Sequence, residues 1–173
     1  MPVLRLALPG DAPSLAILAE RTFRDAFGAR NSPENMDLHC ERCFGPDIQL
    51  REIAERGLVT TLADEAGRLV GFSQLRLSRP SPAVKAGKPA ELHRIYVAAE
   101  WQGLGVAQAL MDRALTDAAR AGCDALWLGV WEHNPKAMAF YKKFGFGFVG
   151  THSFMLGGER QRDLIMSVAV GGT

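Results

Sequence analysis

The sequence predicts a mixed α/β (α+β) domain, one sheet covered by helices. Three observations lead there. A strand–loop–helix–strand–helix succession fills Glu91 to Lys143, and an apolar hairpin pattern precedes it at Leu58–Ala63 and Leu69–Leu77. The length of 173 residues, with 47% hydrophobic and 23% charged, is that of one domain with a real core.

Each element has its own signal. Val3–Leu8 alternates around Arg5 and reads as a half-buried first strand. Asp11 is placed to cap a helix, with Pro13 just inside it. Leu15, Leu18, Thr22, Phe23 and Ala26 form its apolar stripe, which ends near Gly28. Asn31–Gly45 predicts a short helix and turn, and Pro46–Glu55 another short helix stopped by Gly57. The cluster Asp64-Glu65-Ala66-Gly67 turns the hairpin. Ser78–Pro89, with its prolines, is loop and the segment expected to be most flexible. Then come strand Glu91–Val97, helix Val106–Ala121, buried strand Ala125–Val130, capped helix Asn134–Lys143, and strands near Phe146–Thr151 and Leu164–Val170. Residues 1–173 show no repeat and no linker to a second domain.

Composition removes several functions. Lys plus Arg is 20 and Asp plus Glu 19, a net charge of +1, so no long-range grip on nucleic acid is expected. A membrane span needs about 20 apolar residues, and Leu126–Trp131 falls far short. Arg5 and Pro9 interrupt the N-terminal apolar stretch, so no secretory signal is read and a cytoplasmic protein is expected. Cys40 and Cys43 stand as C-x-x-C beside His39, but no second Cys/His pair completes a zinc site and no strand precedes the pair as a redox motif needs. No metal is expected.

The chemistry concentrates between Glu91 and Ala107. A strand runs into a bend carrying Gly103 and Gly105 and directly into a helix. Without a Cβ there, an anion can approach the backbone, and the first N–H groups of the helix lack partners at the positive end of its dipole. That combination makes a phosphate or pyrophosphate cradle. No Walker A loop is present. A dinucleotide fingerprint would need glycine where Gln108 stands, and an acidic residue closing the next strand, which Asp124 precedes. A plain helix start stays open on spacing alone.

Here the sequence resembles a known family. Gln102-x-x-Gly105-x-Ala107 is similar to the Q/R-x-x-G-x-G/A signature of the GCN5-related N-acetyltransferases (GNAT). Asn134, Ala137, Phe140-Tyr141 and Phe144-Gly145-Phe146 resemble that family's second hallmark at the right separation. The resemblance implies a mostly antiparallel sheet of six to seven strands with a central splay, about four flanking helices, and acetyl-CoA as cosubstrate. It implies that the backbone of Gln102, Gly103, Leu104, Gly105, Val106 and Ala107 holds the coenzyme diphosphate. Ile95, Tyr96 and Val97 would pair with the pantetheine arm like an added strand. Asn134 would cap the last helix and touch the coenzyme. Tyr141 would be the general acid for the departing thiolate.

Glu91 stands where several family members carry a catalytic glutamate, and His93 is a relay or alternative base. By strand alternation Glu91, His93, Ile95 and Val97 would share a face. No cysteine falls in these motifs, which favours direct attack in a ternary complex over an acyl-enzyme. Trp127, Trp131, Glu132 and His133 gather at the end of the splayed strand, a combination suited to a cationic acceptor. The tail Gly158–Met166, with Gln161 and Asp163, is similar to bacterial polyamine acetyltransferases. Acidic Glu34, Asp37 and Glu41 offer a polycation surface or a solvated one. The expected activity is acetyl transfer to a small amine or polyamine. A protein N-terminus or lysine is the alternative acceptor, and a non-catalytic acyl-CoA-binding module the alternative class. A homodimer through the last strands is the assembly considered.

Overall fold

The computed structural model describes residues 1–171. Seven strands form one sheet: β1 (Val3–Leu6), β2 (Leu58–Glu65), β3 (Arg68–Arg76), β4 (Pro89–Val97), β5 (Ala125–Trp131), β6 (Gly147–Leu156) and β7 (Glu159–Ala169). Their order is β1-β2-β3-β4-β5-β7-β6. Five helices cover it: α1 (Ala12–Phe27), α2 (Pro33–Cys43), α3 (Pro46–Ala54), α4 (Val106–Arg120) and α5 (Pro135–Lys143), one more than the four expected. Every neighbouring pair of strands is antiparallel except β4 and β5.

That parallel pair is short. Pro89–Glu91 matches Ala125–Trp127, and beyond Glu91 the two strands share no ladder. From Leu92 to Val97, β4 therefore keeps only β3 as a partner, and the edge facing β5 is open. The expected splay lies at the centre of the sheet.

Apolar alternation gives each face its own core. Leu92, Met111, Leu126, Leu128, Val130 and Phe146 pack under α4 and α5, with Tyr141 and Phe140 against them. Val97, Val106 and Leu110 extend this layer toward β2 and β3. On the opposite face Leu15, Phe23, Met36, Phe72 and Leu156 pack with α1 and α2, and Tyr96 joins them.

Several local expectations change. Asp11 does not cap α1; its carboxylate accepts from the Leu8 N–H at 2.7 Å and from Arg5 at 2.8 and 2.9 Å. The guanidinium takes the place of helix donors, and β1 ends at Leu6, short of the expected Leu8. Ser32 caps α2 by accepting from the Asn35 N–H at 3.2 Å. The last hairpin is longer than predicted, because exposed polar residues such as Arg160 and Arg162 continue β7 where no alternation marks a strand. The loop after β3 is tied at both ends. Asp124 accepts from the Gly87 and Lys88 N–H groups, and the Trp127 indole donates to the Arg79 carbonyl at 2.7 Å. Asp124 is thus a loop anchor.

His39 and the two neighbouring thiols lie in the α1–α2 core. The imidazole stacks on Phe23 with centroids 4.3 Å apart. Burial, helped by the Arg94 charge, pushes its pKa down to about 4. Burial pushes the Cys40 thiol up to about 11, the reverse of what redox or metal chemistry needs. The unfolded chain binds the His39 proton more readily than the folded one. Stability is therefore full above the ordinary histidine value of about 6.5 and falls as pH drops toward about 4, by on the order of 3 kcal/mol. Urea unfolding of wild type and His39→Phe at pH 7 and pH 4.5 checks this. The variant is expected to lose less stability on acidification, and an unchanged difference contradicts it.

Candidate active site

The chain leaves β4 at Val97, makes a short 3-10 turn at Ala99–Trp101, bends through Gln102–Gly105 and enters α4. Gly103 and Gly105 have φ of 78° and 84°, left-handed values that favour glycine. Gly105 is the N-cap residue, and having no side chain it caps nothing. Among the described residues, no acceptor engages the N–H groups of Gly103, Leu104, Gly105, Val106, Ala107 and Gln108. The bend from Gln102 to Gly105 is exposed. Unclaimed donors at an open helix start bind oxyanions.

Gln102 contributes its side chain elsewhere. Its Nε2 donates to the Val97 carbonyl at 3.2 Å, and its Oε1 accepts from Lys136 Nζ at 3.0 Å. Lys136 thereby brings a cation beside the bend from the first turn of α5, a neighbour that linear spacing did not reveal. Asn134 caps α5, its Oδ1 accepting from the Ala137 N–H at 3.1 Å, with Pro135 at the first helical position.

Strand β4 departs from simple alternation. Gln74 pairs with Arg94 but Leu75 with Leu92, so His93 is an extra, bulged residue. Leu92, Ile95 and Val97 face the α4 layer, whereas Tyr96 packs with α1 and Arg94 reaches Glu52 of α3 at 2.8 Å. Glu91 follows the second set, pairing with Arg76 and Arg79. The expected common face of Glu91, His93, Ile95 and Val97 is therefore corrected: the bulge turns Glu91 away from Ile95 and Val97. Glu91 Oε2 lies 3.6 Å from Arg76 and 3.7 Å from Arg79, and Oε1 is 3.8 Å from His93 Nδ1. Burial works to raise the Glu91 pKa, but His93 and the two guanidiniums outweigh it and hold the carboxyl below its usual range. Burial lowers the His93 pKa. A carboxylate so stabilised is a weak proton acceptor.

Tyr141 sits partly buried on α5, against the layer that contains Leu92 and Leu128 from both sides of the splay. No hydrogen bond within the described residues engages its hydroxyl, and burial pushes the phenol up to about 12. Burial also raises the Tyr96 phenol, reinforced by the charges of Tyr141 and Asp163. Tyr96 thus lies within electrostatic reach of the Tyr141 phenol and of the Asp163 carboxyl.

A cavity of about 840 Å³ opens beyond the end of β5, lined by Arg30, Trp131, Glu132, His133, His152 and Arg162 among others. Three of the four acceptor residues expected there line it; Trp127 does not, being buried and tied to Arg79. Glu34 and Glu41 are exposed, and Asp37 pairs with Arg24 at 2.8 Å.

A model described as "Acetyltransferase (GNAT) family" matches residues 18–146. The chain belongs to the GNAT acetyltransferase family. As an acetyltransferase it takes acetyl-CoA as its cosubstrate. It is 31% identical over 160 residues to an uncharacterized N-acetyltransferase of Lactobacillus delbrueckii subsp. lactis, covering 92% of each chain. It is 33% identical over 162 residues to an uncharacterized N-acetyltransferase of Mycobacterium bovis, covering 90% of this acetyltransferase and 96% of that one. Its fold is similar to a PaiA N-acetyltransferase from Thermoplasma acidophilum solved with coenzyme A. That match has a TM-score of 0.79 and 20% identity, over 98% of this chain and 99% of the other. Among the described residues no helix is long and apolar enough to cross a membrane.

Proposed function

We propose that this acetyltransferase moves the acetyl group of acetyl-CoA onto a small primary amine, by direct attack while both substrates are bound. One observation carries the reading. Six consecutive N–H groups without acceptors among the described residues open where β4 leaves the sheet, beside the slot between β4 and β5. The backbone of Gln102–Ala107, with Lys136 beside it, would hold the diphosphate. The open edge of β4 from Ile95 to Val97 would take the pantetheine amides, and Asn134 would contact the coenzyme from α5.

The amine lone pair attacks the thioester carbonyl carbon, and collapse of the adduct breaks the C–S bond. Tyr141 gives its hydroxyl proton to the leaving sulfur and regains one from the acylated nitrogen. Its phenol stays protonated across the working pH range because burial pushes it to about 12. Glu91 and His93 serve this site best by fixing the start of the splay through their arginine partners.

The 840 Å³ cavity supports a small acceptor, with Trp131 and Glu132 suited to a cationic amine. Arg30, Arg160 and Arg162 on the same wall disfavour a long polycation and favour an amine with a neutral or anionic remainder. Thiol release from acetyl-CoA with polyamines, amino acids, aminoglycosides and peptides tests this. Release is expected with a small amine and to be weakest with the longest polyamine. Release with peptides alone, or with none of the panel, overturns it.

A further inference from the structure

Strand β7 carries a carboxylate with no part in coenzyme binding or in protonating the leaving sulfur. Asp163 is only 8% exposed, yet its Oδ1 has no hydrogen-bond partner among the described residues. In the ladder it stands opposite Trp131, and its carboxylate lies beside Gly129, two residues back on β5. A Cβ built on Gly129 would lie 3.0 Å from Asp163 Oδ2 and 2.9 Å from His152 Cε1. Glycine at 129 thus leaves the space over β5 that the Asp163 carboxylate and the His152 ring occupy. His152 of β6 stands 4.0 Å from Oδ2 and lines the acceptor cavity.

Buried carboxylates normally find donors, and an unpaired one costs stability. This one adjoins the acceptor cavity: its ladder partners Trp131 and His152 and its neighbour Arg162 all line it. Resting on the N-acetyltransferase reading, we propose that Asp163 is the catalytic base that takes the proton from the acceptor ammonium, with the half-exposed His152 relaying that proton to solvent through an intervening water. The balance is simple. The ammonium N–H electrons become the lone pair that attacks, Asp163 holds the proton, and His152 releases it as the one net proton of the reaction.

The electrostatics fit the role. Burial raises the Asp163 pKa to about 6, opposed by His152. The titratable groups facing it are His152 from β6 and the Tyr96 phenol from β4, while Gly129 and Trp131 of β5 bring no charge. At pH 7.5 the carboxylate is ionised yet more basic than an ordinary aspartate.

Asp163→Asn keeps the shape and removes the base. With an alkyl amine at pH 7.5, kcat/KM is expected to fall about 100-fold or more, while coenzyme affinity stays within about twofold. With an acyl hydrazide, which is already deprotonated at that pH, the loss is expected to shrink below about fivefold. The acid limb of the wild-type profile near pH 6 is expected to vanish. The native state of wild type binds the Asp163 proton more tightly than the unfolded chain, so its stability falls as pH rises from 3.8 through about 6. The variant, freed of a buried charge, is therefore expected to melt higher than wild type at pH 7.5, and the gap to close on acidification.

Equal losses with both amines, or activity kept within a fewfold of wild type, overturn the assignment while leaving the transferase reading intact. A wild type that releases thiol with neither amine overturns the transferase reading, and the assignment with it.

Discussion

Replacing Tyr141 with phenylalanine is expected to lower turnover by about 100- to 1,000-fold, with little change in the KM of the amine or in coenzyme affinity. The substitution removes one oxygen and keeps the ring that packs against the α4–α5 layer. In the proposed mechanism only the proton for the departing sulfur is lost, and that proton moves in the transition state. Expulsion then depends on a proton from water, a weaker acid than the positioned phenol. Because burial pushes Tyr141 to about 12, wild-type activity should not decline between pH 8 and pH 10 through this group. Steady-state kinetics together with coenzyme titration decide the point. A turnover within about threefold of wild type would remove Tyr141 from the chemistry.

The second large effect concerns the bend. Gly105→Asp is expected to weaken coenzyme binding by about 100-fold or more. A carboxylate about 4–5 Å from a diphosphate charge costs about 3–4 kcal/mol at an effective dielectric of 20. Gly105→Asn is the control. Asparagine and aspartate both tolerate the left-handed backbone at φ 84°, so both keep the bend and only one carries charge. Asparagine is expected to stay within about tenfold of wild type by calorimetry. Equal affinities of the two variants would mean that the anion is held elsewhere.

Much of this arrangement was legible beforehand, because it rests on local rules. Gly103, Gly105 and the apolar stripe of α4 marked the strand–bend–helix unit, and Asn134-Pro135 marked the start of α5. The hairpin of β2 and β3 followed from its turn residues. What escaped were features made by partners distant in sequence. The bulge at His93 comes from the register against β3, and nothing in Glu91–Val97 signals an extra residue. Asp11 looked like a cap until Arg5 claimed it across a bend. Lys136 meets Gln102 only because α5 folds back beside the start of α4. Asp163 was visible only as one residue of a tail, since its meaning depends on Gly129 opposite and His152 alongside.

The central claim is that main-chain donors at one bend hold the coenzyme diphosphate. Residue-resolved amide NMR during titration with CoA, with pantetheine as the partner lacking the diphosphate, tests it most directly. The amide signals of Gly103 to Gln108 are expected to shift and gain exchange protection with CoA and to stay near their free positions with pantetheine. If CoA binds while those six amides do not respond, or if pantetheine moves them equally, the bend does not hold the diphosphate.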